Sequence, residues 1–224
     1  AIWNMKTQEK LFQKKRVEHD LEIARDIQKN FLPKEFPPYG DFSLYAMTQP
    51  ALKVGGDFFD YFESGKDKLS LVIGDISGKG VAAALYMAKL LGDFRKEALA
   101  CVNAKETLSL MNRILLKTAP PGMYVTAVYI LVDLKEKLIT YSSAGHLPLL
   151  HFEADSKRIN ELVLDEGLPL GIEPDAVFIE GTVAGAATFA WPAGFAAARA
   201  ASSDLAPVLA EVDKRRDEAV KRLQ

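Results

Sequence analysis

The chain has 224 residues, of which 49% are hydrophobic and 26% are charged, a composition typical of a soluble protein with one ordinary domain and an appendage. Its formal net charge of -2 argues against a nucleic-acid-binding protein, which would carry a basic surface. The single cysteine, Cys101, excludes an internal disulfide and a cysteine-rich zinc site, and it favours a reducing compartment.

No segment of the sequence predicts a membrane span or a secretion signal. The least charged run, Val183 to Ala198, consists mostly of alanine and glycine and contains Pro192, so it is too weakly apolar to insert. Because the first residue is alanine, we expect an excerpt of a longer protein. We expect a cytoplasmic location, or a membrane tether supplied by upstream residues.

Residues 5–31 are highly charged and contain neither glycine nor proline. Residues at a 3–4 spacing predict a helix with a narrow apolar seam, formed by Val17, Leu21, Ala24, Gln28 and Phe31. Pro33 ends this helix. Two interpretations remain open: a helix that lies on its own domain, and a coiled-coil linker that dimerises and receives input from an upstream sensor. We assign 1–33 to the linker and 34–224 to the domain that follows.

The domain begins with two segments of strand character, "FSLYAMTQP" and "KLSLVIGDIS". Two segments rich in helix formers follow, "GVAAALYMAKLLGDFRKEALA" and "AKETLSLMNRILLKTA". The segments "YVTAVYILVDLKEKLITYSSAG" and "PLLHFEADSKRINELVL" then predict two hairpins, and a last helix is predicted from Ser203 or Asp204. This order predicts an α+β fold, in which helices pack on sheets that come mainly from hairpins.

The segment "GDISGKG", from Gly74 to Gly80, could be a phosphate-binding loop or an acidic metal anchor. In a P-loop the lysine would come one position later and Ser or Thr would follow it. In addition, Asp75 would place a negative charge against an anionic phosphate. A carboxylate at the end of an apolar strand, beside glycines that free the backbone, instead suits Mg²⁺ or Mn²⁺. We therefore favour the metal anchor.

A second acidic segment, "VGGDFFD", places Asp57 in a setting similar to that of Asp75. Two such carboxylates repel each other unless a cation neutralises them. Two metal ions about 4 Å apart can activate a bridging water for attack at phosphorus. For each acid alone, the alternative is a simple role in a turn, since Gly-Asp pairs are common in loops.

Together these motifs resemble the SpoIIE/RsbU-type serine/threonine phosphatases, the bacterial branch of the metal-dependent PPM (PP2C-like) family. The similarity runs over residues 20–183, in the family's order: "DLEIARDIQKNFLP", "VGGDFFD", "GDISGKGVAAAL", "MYVTAVYILVD", "YSSAGHLPLL" and "GLPLGI". It implies a sandwich of two antiparallel sheets flanked by helices, preceded by a linker helix. It also implies a two-metal Mn²⁺ or Mg²⁺ site in a cleft at one end.

The resemblance further implies roles for individual residues. Asp57 and Asp75 would bind the metals and act catalytically through a bridging metal-bound water. The metal ligands by motif are Asp57, Asp75, the main-chain carbonyl of Ile76 and, as a further candidate, Asp60. Beside them, we interpret Ser77 and Lys79 as turn residues. We interpret His146 as a structural hydrogen-bonding residue near the cleft.

The sequence departs from the family pattern after Gly181. Ala193 stands where the family has a metal-binding aspartate and Ala197 where it has a glutamate, and the family's final Asp-Asp step is absent. Ten of the 18 residues from Ala184 to Ala201 are alanine, whereas a natural strand carries more β-branched residues. Three explanations are open. The alanines stand in place of other natural residues, which the alanine-rich composition favours. Otherwise the chain is shortened or altered, or the protein is a degenerate phosphatase that binds without turning over.

These motifs lead us to expect an enzyme that hydrolyses phosphoserine or phosphothreonine on a partner protein. By resemblance, the partner is a phosphorylated STAS-type anti-sigma-factor antagonist in bacterial partner switching. An upstream sensor or regulator, and a second copy of the chain paired through the N-terminal helix, are the other expected partners. The alternatives are a catalytically inactive PPM-like binding module and, on weaker grounds, a coiled-coil scaffold with a globular cap.

Overall fold

A computed structural model describes residues 2–39, 42–46, 53–101, 103–153, 156, 158–164, 167–184, 188–190 and 196–200. Ala193 and the predicted C-terminal helix from Ser203 or Asp204 lie outside these ranges. Among the helices described, none is both long enough and apolar enough to cross a bilayer.

The described residues form three α-helices, α1 (Ile2–Phe31), α2 (Val81–Glu97) and α3 (Ala104–Thr118), and a short 3₁₀ helix (Ala98–Ala100). The strands are β1 (Phe42–Ala46), β2 (Phe58–Gly65), β3 (Lys68–Ile76), β4 (Val125–Asp133), β5 (Leu138–Ala144), β6 (Leu149–Glu153), β7 (Arg158–Leu162), β8 (Gly181–Ala184), β9 (Thr188–Ala190) and β10 (Ala196–Ala200).

Within the described ranges, these strands build two five-stranded antiparallel sheets. The first sheet has the order β1-β10-β9-β6-β7 and the second has the order β2-β3-β4-β5-β8. This confirms the predicted α+β class, the two antiparallel sheets and the two hairpins β4–β5 and β6–β7. The sequence patterns did not predict β2, which forms a hairpin with β3 through a turn at Asp67, where φ is +58°.

The second sheet has an apolar core on each face. On one face α2 and α3 cover it, and the largest fully buried side chains there include Phe58, Met87, Phe94, Leu108 and Tyr129. A smaller cluster joins β1 of the first sheet to the second sheet through Phe42, Leu44, Leu69, Val132 and Ile139. Burial of this apolar surface is the main force that holds the layers together.

The N-terminal helix α1 ends two residues before Pro33, as predicted. Within residues 8–31, Gln28 is the one buried side chain, whereas Leu11, Phe12 and Val17 are exposed. The C-terminal end of α1 thus lies on its own domain. The dimerising coiled coil remains a prediction for the part of the helix that lies further from the domain.

Candidate metal centre

The start of β2 and the end of β3 bring Asp57 and Asp75 together. The two strands are antiparallel, with Phe58 opposite Gly74, so the residue before Phe58 lies beside the residue after Gly74. The two carboxyl groups lie close enough for each to perturb the pKa of the other. The structure therefore joins the two acidic motifs that the sequence separates by 18 positions.

Gly56 allows this close approach. Its carbonyl accepts a hydrogen bond from the Ile76 amide at 3.3 Å. A Cβ added at position 56 would lie 2.5 Å from the Ile76 carbonyl oxygen and 2.9 Å from Oδ1 of Asp75, closer than real contacts allow. Only glycine lets the loop before β2 lie against the end of β3 in this way.

The two acids strongly perturb each other. Burial, and after it the charge and close approach of the Asp75 carboxyl group, raise the pKa of Asp57 to about 7. Burial also raises the pKa of Asp75, while hydrogen bonds from Asp57 and from the Ile76 amide oppose that rise. Placing two negative charges in this corner is unfavourable, and a cation between them would relieve the cost.

The donors at this corner fit a hard divalent cation. The carboxylates of Asp57 and Asp75 and the nearby carbonyl of Ile76 are all oxygen donors, which Mg²⁺ and Mn²⁺ prefer. The described part of the chain holds no group of three His, Cys, Asp or Glu side chains that could bind a metal. Water or substrate oxygens would have to complete the coordination.

Asp60, the remaining acid of the first motif, has a different environment. Its side chain is fully buried and ion-paired with Arg95 of α2, with N–O distances of 2.5 Å from Nε to Oδ2 and 3.0 Å from Nη2 to Oδ1. The Tyr61 amide also donates to Oδ1 at 2.9 Å. Both carboxylate oxygens are thus engaged by Arg95, so the geometry gives the predicted metal-binding role of Asp60 no support.

Ser77 and Lys79 lie in the turn between β3 and α2. The Ser77 hydroxyl accepts a hydrogen bond from the Tyr124 amide at 2.8 Å, and the Ser77 amide donates to the Tyr124 carbonyl at 2.9 Å. Gly78 has a φ of +98°, which favours glycine there. Lys79 is exposed. Ser77 thus joins the end of β3 to the segment before β4 through two hydrogen bonds with Tyr124.

His146 lies one strand away from the acidic pair. Its Nδ1 is hydrogen-bonded to Oγ1 of Thr126 at 2.5 Å, and Thr126 is the cross-strand partner of Asp75. Burial lowers the pKa of His146 to about 4, so the ring is neutral at physiological pH. The ring also lines a cavity of about 410 Å³ together with Leu168 and Val177.

Two residues near the site escaped the sequence analysis. Arg95 carried no signal beyond its place on a helix. Gln28 was counted as part of the α1 seam, yet its amide contacts the backbone of Gly55, two residues before Asp57. A polar amide at a seam position is the one signal that could have pointed to such a contact.

Residues 65–194 match the model of the family described as Stage II sporulation protein E (SpoIIE). The protein IcfG of Synechocystis sp. is 30% identical over 186 residues, covering 71% of this chain and 29% of the relative. The phosphoserine phosphatase RsbU of Bacillus subtilis is 26% identical over 159 residues, covering 71% of this chain and 47% of the relative. The chain therefore spans less than half the length of either curated relative.

The SiaA-PP2C domain of Pseudomonas aeruginosa has a similar structure, with a TM-score of 0.63 and 21% identity. The match covers 79% of this chain and 71% of that domain. At this identity the likeness concerns the fold, and it agrees with the two antiparallel sheets and flanking helices described above.

Proposed function

The chain belongs to the Stage II sporulation protein E (SpoIIE) family, and we propose that it is a metal-dependent protein serine/threonine phosphatase. The observation that carries this proposal is the pair of carboxyl groups of Asp57 and Asp75, held together beside the Ile76 carbonyl at one end of the second sheet. RsbU, a relative of this chain, is named a phosphoserine phosphatase.

In this proposal Asp57, Asp75 and the carbonyl of Ile76 hold Mn²⁺ or Mg²⁺. When bound, such an ion polarises a phosphoryl group and makes water a stronger nucleophile. The protein's own contribution is the fixed placement of the negative charges: Asp57 is half-buried behind Gly56, and Asp75 is exposed. The exposure of Asp75 lets a phosphoryl group carried on another protein reach the site.

The proposed substrate is a phosphoserine or phosphothreonine on a phosphorylated STAS-type anti-sigma-factor antagonist, in a partner-switching pathway of the bacterial cytoplasm. An upstream sensor or regulator would act through α1. The exposed apolar side chains of Leu11, Phe12 and Val17 support a second copy of the chain as partner along that helix.

Hydrolysis of p-nitrophenyl phosphate, with and without Mn²⁺, tests the activity and the site together. We expect a manganese-dependent rate that falls at least about 100-fold in Asp75→Asn, because a metal-binding carboxylate is lost. Asp67→Asn is the matched control: it makes the same change in the turn of the same hairpin, where the positive φ suits Asn equally well. No manganese-dependent rate in protein of verified sequence would refute the enzyme. Equal rates in wild type and Asp75→Asn would refute the site.

A catalytically inactive binding module is the second candidate. It is favoured by the small number of side-chain carboxylates at the site within the described residues, and by Ala197 of β10, where the family has a glutamate. Such a module would bind the phosphorylated partner without releasing phosphate, even at saturating Mn²⁺. Mass spectrometry of the protein and of its peptides from residues 184–224 separates the candidates further, since an aspartate found at position 193 would restore one missing ligand.

A further inference from the structure

Gln28 makes an unusual contact for a residue on an apolar helix seam. Its side chain is 7% exposed, and a buried amide is costly unless both its donor and its acceptor are satisfied. Here both are satisfied by one residue of the opposite segment. Nε2 donates to the Gly55 carbonyl at 2.6 Å, and Oε1 accepts from the Gly55 amide at 3.2 Å.

This two-point contact fixes both the position and the orientation of the Gly55 backbone. A single hydrogen bond would leave the segment free to rotate about it, whereas a paired donor and acceptor do not. The contact is anchored on the helix side as well, because Nε2 also lies 3.4 Å from Sδ of Met87 in α2. Gln28 therefore joins α1, α2 and the loop before β2 at one point.

The restraint acts on the part of the chain that carries the candidate metal ligand. Gly55 and Gly56 are consecutive, and glycine loses more backbone freedom on ordering than any other residue. Gly56 must lie against Ile76, and Asp57 follows directly. A further contact from α1 to this loop, between Glu22 and Lys53 at 2.9 Å, joins two partly exposed side chains and restrains the loop weakly.

We propose that Gln28 is a positioning residue for the metal centre: its amide holds the Gly55 backbone and so sets Asp57 against Asp75. The inference rests on the proposed function, because it takes these two acids as metal ligands. It makes metal affinity depend on a residue of the N-terminal helix that touches neither the metal nor the substrate. Groups that orient metal ligands from outside typically change metal affinity by about 10- to 100-fold when removed.

The test measures Mn²⁺ affinity by isothermal titration calorimetry on the full chain, comparing wild type, Gln28→Met and Gln13→Met. Methionine keeps the length and the apolar stem but cannot donate to the Gly55 carbonyl, and the exposed Gln13 on the same helix is the matched control. We expect Kd for Mn²⁺ to rise roughly ten-fold or more in Gln28→Met and to stay unchanged in Gln13→Met. Unfolding curves recorded without metal establish that both variants are folded at the temperature of the titration.

Equal Mn²⁺ affinities in wild type and folded Gln28→Met would overturn the inference while leaving the proposed metal site intact. Failure of wild type itself to bind Mn²⁺ would overturn both, so the two failures are distinguishable. Hydrogen exchange of the metal-free wild type adds a test that needs no variant. The Gly55 amide should be protected by its bond to Gln28, and an unprotected Gly55 amide would also refute the inference.

Discussion

The ion pair between Asp60 and Arg95 leads to an asymmetric stability prediction. The Asp60 side chain is 0% exposed and the Arg95 side chain is 49% exposed. Removing the arginine leaves a buried carboxylate whose remaining hydrogen-bond donor, among the described residues, is the Tyr61 amide. Removing the acid leaves a guanidinium that water can reach. We therefore expect Arg95→Ala to be more destabilising than Asp60→Asn, although both break the same pair.

The magnitudes follow from this difference in exposure. Breaking a buried pair so that one charge stays uncompensated costs about 3–5 kcal/mol, and because Arg95 is half-exposed we expect about 3 kcal/mol for Arg95→Ala. Asparagine at position 60 can still accept from the Tyr61 amide and from Arg95, so Asp60→Asn should cost about 1 kcal/mol. The difference of about 2 kcal/mol corresponds to a shift of about 1 M in the midpoint of urea unfolding.

The penalty of Arg95→Ala should also depend on pH. Burial raises the pKa of Asp60, and Arg95 opposes that rise. Without Arg95 the pKa of Asp60 goes higher still, so the folded state binds a proton that the unfolded chain, with an aspartate pKa of about 3.9, has released. Stability then falls as pH rises above the unfolded pKa toward the folded one. The variant should therefore lose less stability, relative to wild type, at pH 5.5 than at pH 7.5.

Urea unfolding at pH 5.5 and 7.5, followed by circular dichroism, measures these differences. Lys96→Ala is the control on the same helix: its partner is Glu97, its side chain is 81% exposed, and its loss should leave the urea midpoint nearly unchanged because exposed ion pairs contribute little to stability. The reasoning fails if Asp60→Asn destabilises more than Arg95→Ala, or if the Arg95→Ala penalty is the same at both pH values. A loss of Mn²⁺ affinity in Asp60→Asn as large as in Asp75→Asn would instead support a metal-binding role for Asp60.

Two further predictions concern the site itself. Gly56→Ala should weaken Mn²⁺ binding roughly ten-fold or more, because its Cβ would come within 2.5 Å of the Ile76 carbonyl oxygen; calorimetry checks this, and unchanged affinity would contradict the close approach. Burial lowers the pKa of His146 from 6.5 to about 4, so between these pH values the unfolded chain binds more protons than the folded chain. The free energy of unfolding of the wild type should therefore rise with pH, by about 2 kcal/mol from pH 5 to pH 7. His146→Gln should flatten this rise in urea unfolding, and an equally steep rise in the variant would show that another group causes it.

Local patterns were enough to predict most of the elements. The charged, proline-terminated N-terminal segment predicted α1, and the β-rich runs around "DLKEK" predicted the β4–β5 hairpin. The strand β2 was missed because its sequence, "FFDYFESG", overlaps the acidic motif and was interpreted only for its chemistry. The available signals were its aromatic residues, which favour strands, and the turn-forming residues that follow in "SGKD".

Contacts between distant segments were harder to predict. The pairing of Asp57 with Asp75 was predicted by family resemblance, while its physical cause, the alignment of β2 with β3, needed the sheet register. The partners of Gln28 and Asp60 lie 27 and 35 positions away along the chain, on elements whose relative placement no local pattern determines. A polar side chain that the sequence pattern places in the interior must have a hydrogen-bonding partner, but the pattern does not show which residue that partner is.

The different environments of the two acids in "VGGDFFD" nevertheless follow from elementary strand geometry. Side chains alternate between the two faces of an extended chain, so residues three positions apart face opposite ways and residues two apart share a face. Asp60 shares its face with Phe58, whose ring packs against Phe94 of α2 with ring centroids 6.2 Å apart. Asp60 must therefore face α2, where Arg95 follows Phe94 directly. Asp57, on the opposite side and at the end of the sheet, is the acid that can meet Asp75.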